Sequence, residues 1–230
     1  KDRDGILRAK SEIFDYMAED GEICLNAEDD KLRALKEIKG HKPHFFGMGK
    51  SALEEVSVVD IVSRGLSGSD GVLRTGGGEF EIHIPLPGLH MALNAAAAAC
   101  VAGLMGLTGE ETAAGIGSVR AVSGRTNILP LSRNTIIDDC YNANPASVHA
   151  ALDLLALAHT EKVAVLGDML NLGEDSHRYH EEVGAHAAQS CVGHLICVGE
   201  ESRHICRGAA ASARKIERVS HFPDVEALVE

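Results

Sequence analysis

The sequence predicts an α/β protein in two parts, the second built on a mostly parallel, doubly wound sheet. Three observations carry this reading. From about residue 126 onward, apolar β-branched runs alternate with helical patterns over short connections, the rhythm of parallel strands joined by crossover helices. Before that point an antiparallel hairpin leads into one long helix of small residues. Between the two lies Ala121-Val122-Ser123-Gly124-Arg125, which fits neither pattern and marks a domain boundary.

The first part opens on a helical pattern, with Ile6, Leu7, Ile13, Phe14 and Met17 on one face. Glu22 to Leu25 reads as a short strand. Asp29 or Asp30 is placed to cap a helix over Lys31 to Ile38, and His44 to Gly47 is a second strand. Gly47-Met48-Gly49-Lys50-Ser51 looks like the end of a phosphate-binding loop. That motif, G-x-x-x-x-G-K-[ST], needs a glycine at position 44, where this chain has His44. The stretch is therefore read as a turn ahead of an acidic surface segment. Val56 to Val62 is a strand. Val72–Thr75 and Glu79–Leu86 form a hairpin in which Phe80, Ile82 and Ile84 alternate with Glu79, Glu81 and His83. A helix from Leu89 to about Met105 follows, and its run Asn94-Ala95-Ala96-Ala97-Ala98-Ala99 lets a neighbour approach closely. His90 and Asn94, four apart, share a face at its N-terminus, where free N–H groups suit an anionic or hydrogen-bonding ligand. A shorter helix spans Glu110 to Val119.

In the second part the expected strands are Asn127–Leu131, Thr135–Asp138, Lys162–Gly167, His194–Gly199 and Lys215–Val219. The expected helices are Pro145–His159, Ser176–Ser190, Glu201–Ala211 and Asp224–Val229. Ligands of open α/β sheets bind at the carboxyl ends of the strands. That singles out Asp138 to Ser147, where two carboxylates, a tyrosine and two carboxamides stand between an apolar strand and the helix start Asn144-Pro145. It also singles out Gly167 to Asp175, with Asp168 directly after a buried strand. Asp168, His177 and His180 are weighed as a metal site, but a mixed ligand set on a loop is a weak signal and no metal ligand is assigned.

Composition narrows the function. The formal net charge is −12, from 22 Lys and Arg against 34 Asp and Glu, which opposes nucleic-acid binding. No apolar run is long enough to span a bilayer, and no signal peptide is evident. Six scattered cysteines without a C-x-x-C pair read as reduced thiols of a cytoplasmic protein.

Taken in order, the motifs resemble the Mur ligase family. They are Ala9-Lys10-Ser11-Glu12-Ile13-Phe14, Leu25-Asn26-Ala27-Glu28-Asp29-Asp30, Pro87-Gly88-Leu89-His90 with Asn94-Ala95-Ala96-Ala97, Gly124-Arg125, Asp138 to Ser147, and Leu166 to Gly173. Within the family, Tyr141-Asn142-Ala143-Asn144-Pro145 and Gly167-Asp168-Met169-Leu170 with Leu172-Gly173 are similar to the members that add D-alanyl-D-alanine. The resemblance implies a partial central ATPase domain over residues 1–121. A Rossmann-like C-terminal domain over 122–230, lacking its last residues, would follow. The family's P-loop and its UDP-binding domain have no counterpart in this sequence, so the chain is expected to be a fragment, inactive by itself.

The implied reaction uses ATP and Mg2+. The carboxylate of UDP-N-acetylmuramoyl-tripeptide becomes an acyl phosphate, which the amine of D-alanyl-D-alanine attacks. Closure about a hinge at Gly124 would shield the acyl phosphate from water. By the same resemblance, Lys10 matches a lysine often carbamylated to bridge magnesium. His90 and Asn94 match the nucleotide motif, although Met91 stands where many members have Asn. Arg125 matches the hinge arginine that reaches ATP, and Asp139 the carboxylate on its ribose. Asn142, Asn144 and Asp168 are expected to line the dipeptide pocket. A monomer without nucleic-acid or membrane partners is expected. The competing readings are a non-catalytic nucleotide-binding or interaction module on a Rossmann-like domain and, more weakly, a folylpolyglutamate-type ligase. The Tyr-Asn-Ala-Asn-Pro loop argues against the latter.

Overall fold

The computed structural model describes residues 3–229. The chain divides into two compact units, Lys1–Arg120 and Ala121–Glu230.

The first unit holds a five-stranded sheet in the order β1-β2-β3-β4-β5. The strands are β1 (Cys24–Asn26), β2 (His44–Gly47), β3 (Val56–Ser63), β4 (Ser69–Thr75) and β5 (Gly78–Ile84). The first three run parallel, and β3, β4 and β5 form an antiparallel meander. Helix α1 (Arg3–Ser11) passes into a 3-10 turn (Glu12–Tyr16). Helix α3 (His90–Leu104) lays Ala92, Ala95, Ala96 and Ala99 against Val58, Leu73, Ile82 and Ile84 of the sheet. The 92/95/96/99 spacing is one face of a helix, and alanines bring its axis close to the strands. A fully buried leucine such as Leu73 contributes about 1.5–3 kcal/mol. Helix α4 (Gly109–Ser118) starts with a capping box between Thr108 and Glu111.

The helix expected over Lys31 to Ile38 is shorter. Helix α2 covers only Asp30–Arg33, with Asp29 Oδ1 accepting the N–H groups of Lys31 and Leu32 at 2.9 and 3.0 Å. Beyond it Ile38 and His41 exchange two backbone hydrogen bonds, and Lys39 takes a positive φ. Leaving the helix turns Leu35 and Ile38 onto a small core of Ile23, Leu25, Ala27 and Phe45.

In the second unit, β6 (Asn127–Pro130) and β7 (Thr135–Asp138) form an antiparallel ribbon. A separate parallel sheet has the order β10-β9-β8, from β8 (Val163–Gly167), β9 (His194–Val198) and β10 (Arg218–Phe222). The α/β class holds; the alternation expected from residue 126 begins only after β7. Helix α5 (Pro145–Ala156) joins β7 to β8, α6 (Ser176–Gln189) joins β8 to β9, and α7 (Arg203–Ala211) joins β9 to β10. Helix α8 (Val225–Val229) ends the described chain. The last strand lies three residues later than expected. Its polar Ser220 and His221 hid it, but Ser220 Oγ meets His194 Nε2 at 3.2 Å and His221 Nε2 meets Gly199 O at 2.8 Å. The core gathers Leu152, Ala164, Met169, Val183, Leu195, Cys197 and Ile205.

Helices α6 and α7 touch through two glycines. A Cβ at Gly184 would lie 2.8 Å from Ala209 N and closer to the Ile205 carbonyl, and one at Gly208 would lie 2.6 Å from the Glu181 carbonyl carbon. Only glycine permits so close a crossing. Among the described residues no helix is long and apolar enough to cross a membrane.

Candidate functional site

The end of β7 and the start of β6 are tied together by the two neighbouring carboxylates. Asp138 Oδ2 accepts the Gly124 N–H at 2.9 Å, and Asp139 Oδ1 accepts the Thr126 N–H at 2.8 Å and the Thr126 hydroxyl at 3.3 Å. The Cys140 thiol, bonded to Asp138 at 3.1 Å, and then the Gly124 N–H hold the Asp138 carboxyl below the usual carboxylate range. The same bond pushes the Cys140 thiol up. Gly124 is buried at φ +74, with Tyr141 N close to where a Cβ would stand, so a side chain there meets both strain and a clash. The Arg125 guanidinium lies over the Tyr141 ring, 4.1 Å from its centre.

The chain then turns into α5. Asn144 Oδ1 accepts the Ser147 N–H at 3.0 Å and Ser147 Oγ accepts the Asn144 N–H at 3.1 Å, a reciprocal capping box with Pro145 in the first turn. Asn144 is thus held by its helix; both carboxamides are exposed, and Asn142 is the one that lines the cavity.

That cavity measures about 660 Å³. Asp138, Asp139, Tyr141, Asn142 and Asp168 supply its polar groups; Ile136, Val163 and Val165 supply part of its apolar wall. A few placed polar groups on an apolar wall are the usual make-up of a small-molecule site. Asp168 is held firmly: Oδ1 accepts the Ser202 N–H at 2.7 Å, at the start of α7. Gly199, at φ +114, leaves room for it, since a Cβ there would lie 2.6 Å from Asp168 Oδ2.

The loop after Asp168 is anchored by a residue the sequence suggested for another role. His180 is fully buried. Its Nε2 accepts the Met169 N–H at 3.0 Å, so Nδ1 carries the proton and donates to Ser176 O at 2.8 Å. With both nitrogens engaged, His180 cannot join Asp168 and His177 around a metal. The tool that fixes the loop is therefore a hydrogen-bonded histidine, a role the i, i+3 spacing does not reveal.

The first unit carries the other expected residues. Lys10 is exposed on α1 and makes no ion pair or hydrogen bond among the described residues. His90 and Asn94 are exposed at the N-terminal end of α3, and Asn94 Nδ2 approaches Met91 Sδ at 3.5 Å. The Gly47–Ser51 turn is closed to phosphate. The N–H groups of Gly49, Lys50 and Ser51 all donate to the Glu54 carboxylate, at 2.6, 3.2 and 2.9 Å, so an internal anion fills the nest. Thr126 and Ser202 are site residues that the sequence does not point to, because their partners Asp139 and Asp168 lie 13 and 34 residues away.

Comparison with known proteins matches residues 1–102 to the Mur ligase middle domain and residues 124–230 to the Mur ligase glutamate ligase domain. The UDP-N-acetylmuramoyl-tripeptide–D-alanyl-D-alanine ligase of Escherichia coli K12 is 30% identical over 226 residues, 98% of this chain and 48% of that protein. The Treponema pallidum protein of the same name is 38% identical, over 94% of this chain and 45% of its own length. Among solved structures, MurF from Acinetobacter baumannii superposes with a TM-score of 0.83 at 28% identity, over 96% of this chain and 52% of that one. Thermotoga maritima MurF in complex with ADP gives 0.75 at 23% identity, over 96% and 54%. The chain spans about half the length of the curated relatives it matches. With both of its units matched, the chain belongs to the Mur ligase family.

Proposed function

We propose that this chain is the nucleotide- and amine-handling part of an ATP-dependent ligase that joins D-alanyl-D-alanine to UDP-N-acetylmuramoyl-tripeptide in the cytoplasm, during cell-wall precursor synthesis. In this reading residues 1–121 are the later part of the central ATP-binding domain and 122–230 the C-terminal ligase domain. The observation that carries it is the cavity at the carboxyl ends of β7 and β8, which Asp139, Asn142 and Asp168 line.

The tripeptide carboxylate oxygen attacks the γ-phosphorus of ATP, giving an acyl phosphate and ADP. The D-alanyl-D-alanine amine then attacks the acyl carbon, loses a proton, and inorganic phosphate leaves from the tetrahedral intermediate. Asn94 and His90 take the adenine side of the nucleotide. Arg125, backed by the Tyr141 ring, meets its phosphates or ribose, and Asp139 meets the ribose hydroxyls with Oδ2, the oxygen not committed to Thr126. Asn142 and Asp168 orient the dipeptide, and Asn144 sets the helix start beside them. Magnesium neutralises phosphate charge when bound. A lysine ammonium repels such an ion. Lys10, exposed and unpaired, is open to carbamylation by CO2, which would make it an anionic ligand. The chain is taken to act as a monomer.

The test measures phosphate release from Mg-ATP with both substrates, using the full gene product. Asp139→Ala and Arg125→Ala are each expected to lower kcat/KM at least about tenfold, about 1.4 kcal/mol of transition-state stabilisation. Turnover unaffected by either variant would overturn the reading. Residues 1–230 alone contain no G-x-x-x-x-G-K-[ST] sequence to cradle the β- and γ-phosphates and are expected to release none.

A further inference from the structure

A second cluster of chemistry-bearing side chains lies at the facing ends of α6 and α7. His177 is in the first turn of α6, His204 in the first turn of α7, and Glu201 in the turn just before α7. One nitrogen of each histidine and one oxygen of Glu201 lie within 4.8 Å of one another. The two imidazoles are stacked, centres 4.0 Å apart and planes 17° apart, and His177 Nε2 is 3.6 Å from Glu201 Oε1. The other carboxylate oxygen, Oε2, accepts the Ser176 hydroxyl at 2.7 Å, so the carboxylate is oriented from behind.

We propose that His177, Glu201 and His204 form a binding site for a late first-row divalent cation, with Zn2+ as the reference ion. Two imidazoles and a carboxylate are a ligand set that such ions take, with water completing the coordination. The outer hydrogen bond from Ser176 is the kind that fixes a ligating carboxylate. The glycine crossing at Gly184 and Gly208 fixes the two helices that present the cluster.

Metal entry requires two adjustments. Ligand atoms about 3.3 Å apart suit tetrahedral bonds of about 2.0–2.1 Å, so the exposed His177 ring must tilt toward the others. Arg207, 3.3 Å from His204 Nδ1, and Arg203, 3.5 Å from its Nε2, must also move aside. Both heads are more than half exposed and have Glu181 and Glu200 as partners. Occupancy would tie α6 to the turn that carries Ser202, the residue whose N–H holds Asp168, and would thereby steady one wall of the cavity.

The experiment titrates the 230-residue chain with Zn2+ in competition with a chromophoric chelator, and with Co2+ to read ligand type from its absorption spectrum. One ion per chain, a spectrum free of thiolate-to-metal charge transfer, and a Zn2+-dependent rise in the unfolding midpoint are expected. His177→Ala, at an exposed position, should keep the metal-free midpoint and lose at least about a hundredfold in affinity; Glu201→Gln, which retains a partner for Ser176, should lose at least about tenfold. His186→Ala, at the other end of α6, should bind as the parent does. Absence of saturable binding, a charge-transfer band marking cysteine ligation, or unchanged affinity in both His177→Ala and Glu201→Gln would overturn the proposal. None of these outcomes depends on ligase activity.

Discussion

Replacing Gly184 by alanine tests the closest packing in the second unit. The added Cβ would lie 2.8 Å from Ala209 N, against the 3.4–4 Å of ordinary contact, and nearer still to the Ile205 carbonyl. The helices would have to part by at least about 0.6 Å, the difference between 3.4 and 2.8 Å. The obstructing atoms are backbone, so no side chain can rotate away. Overpacking costs about 1–3 kcal/mol, and against backbone it falls at the upper end, about 2–3 kcal/mol, while alanine's better helix propensity returns about 1 kcal/mol. A net loss of about 1–2 kcal/mol follows, or roughly 4–16 °C in Tm for a unit of this size. Gly115→Ala in α4 is the matched control: nothing lies within 4 Å of its Cβ, and a gain of about 0.5–1 kcal/mol is expected. Urea unfolding, read by hydrogen exchange of the β9 amides for the first variant and of the β5 amides for the second, gives both values. A Gly184→Ala protein as stable as the parent would refute the argument that backbone contact sets the α6–α7 distance.

Three further outcomes are expected. Asn144→Ala removes the capping box of α5 and should cost about 1 kcal/mol, with Asn144→Ser losing far less; equal losses in a urea titration would count against the cap. Asp138 has a folded-state pKa below its unfolded value, so its stabilising contribution is fully present above the unfolded pKa and disappears as pH falls through the folded one. Stability of the second unit should therefore drop below about pH 4, and Asp138→Asn should flatten that limb of the pH profile. Alkylation followed by mass spectrometry should label exposed Cys191 before Cys140, whose thiol is raised by Asp138. Buried Cys100, pushed up to about 12, and buried Cys197 should be labelled last.

What the sequence revealed depended on how local each signal is. The β5 alternation, the alanine face of α3 and the Asn144-Pro145 helix start are readable because their patterns repeat within a few residues. The early end of α2 was not, because its cause is a pair of backbone bonds between Ile38 and His41 and a small core assembled from distant segments. Strand β10 looked polar because its partners, His194 and Gly199, lie more than 20 residues away. At the site, the loop rich in Asp and Asn was legible from composition alone. That Asp168 holds the start of α7, that His180 serves Met169, and that His177 meets His204 all depend on contacts 11 to 34 residues apart.

The paired carboxylates at the end of β7 have a mechanical consequence. Gly124 and Thr126 are each fastened by a backbone N–H to that strand, and Arg125 between them rests on Tyr141. The Gly124-Arg125 stretch is thus riveted into the second unit at both of its flanks, and the arginine has a fixed base as well as a stacked head. Loosening the rivet with Asp138→Ala would disturb the aim of the arginine without touching the arginine itself.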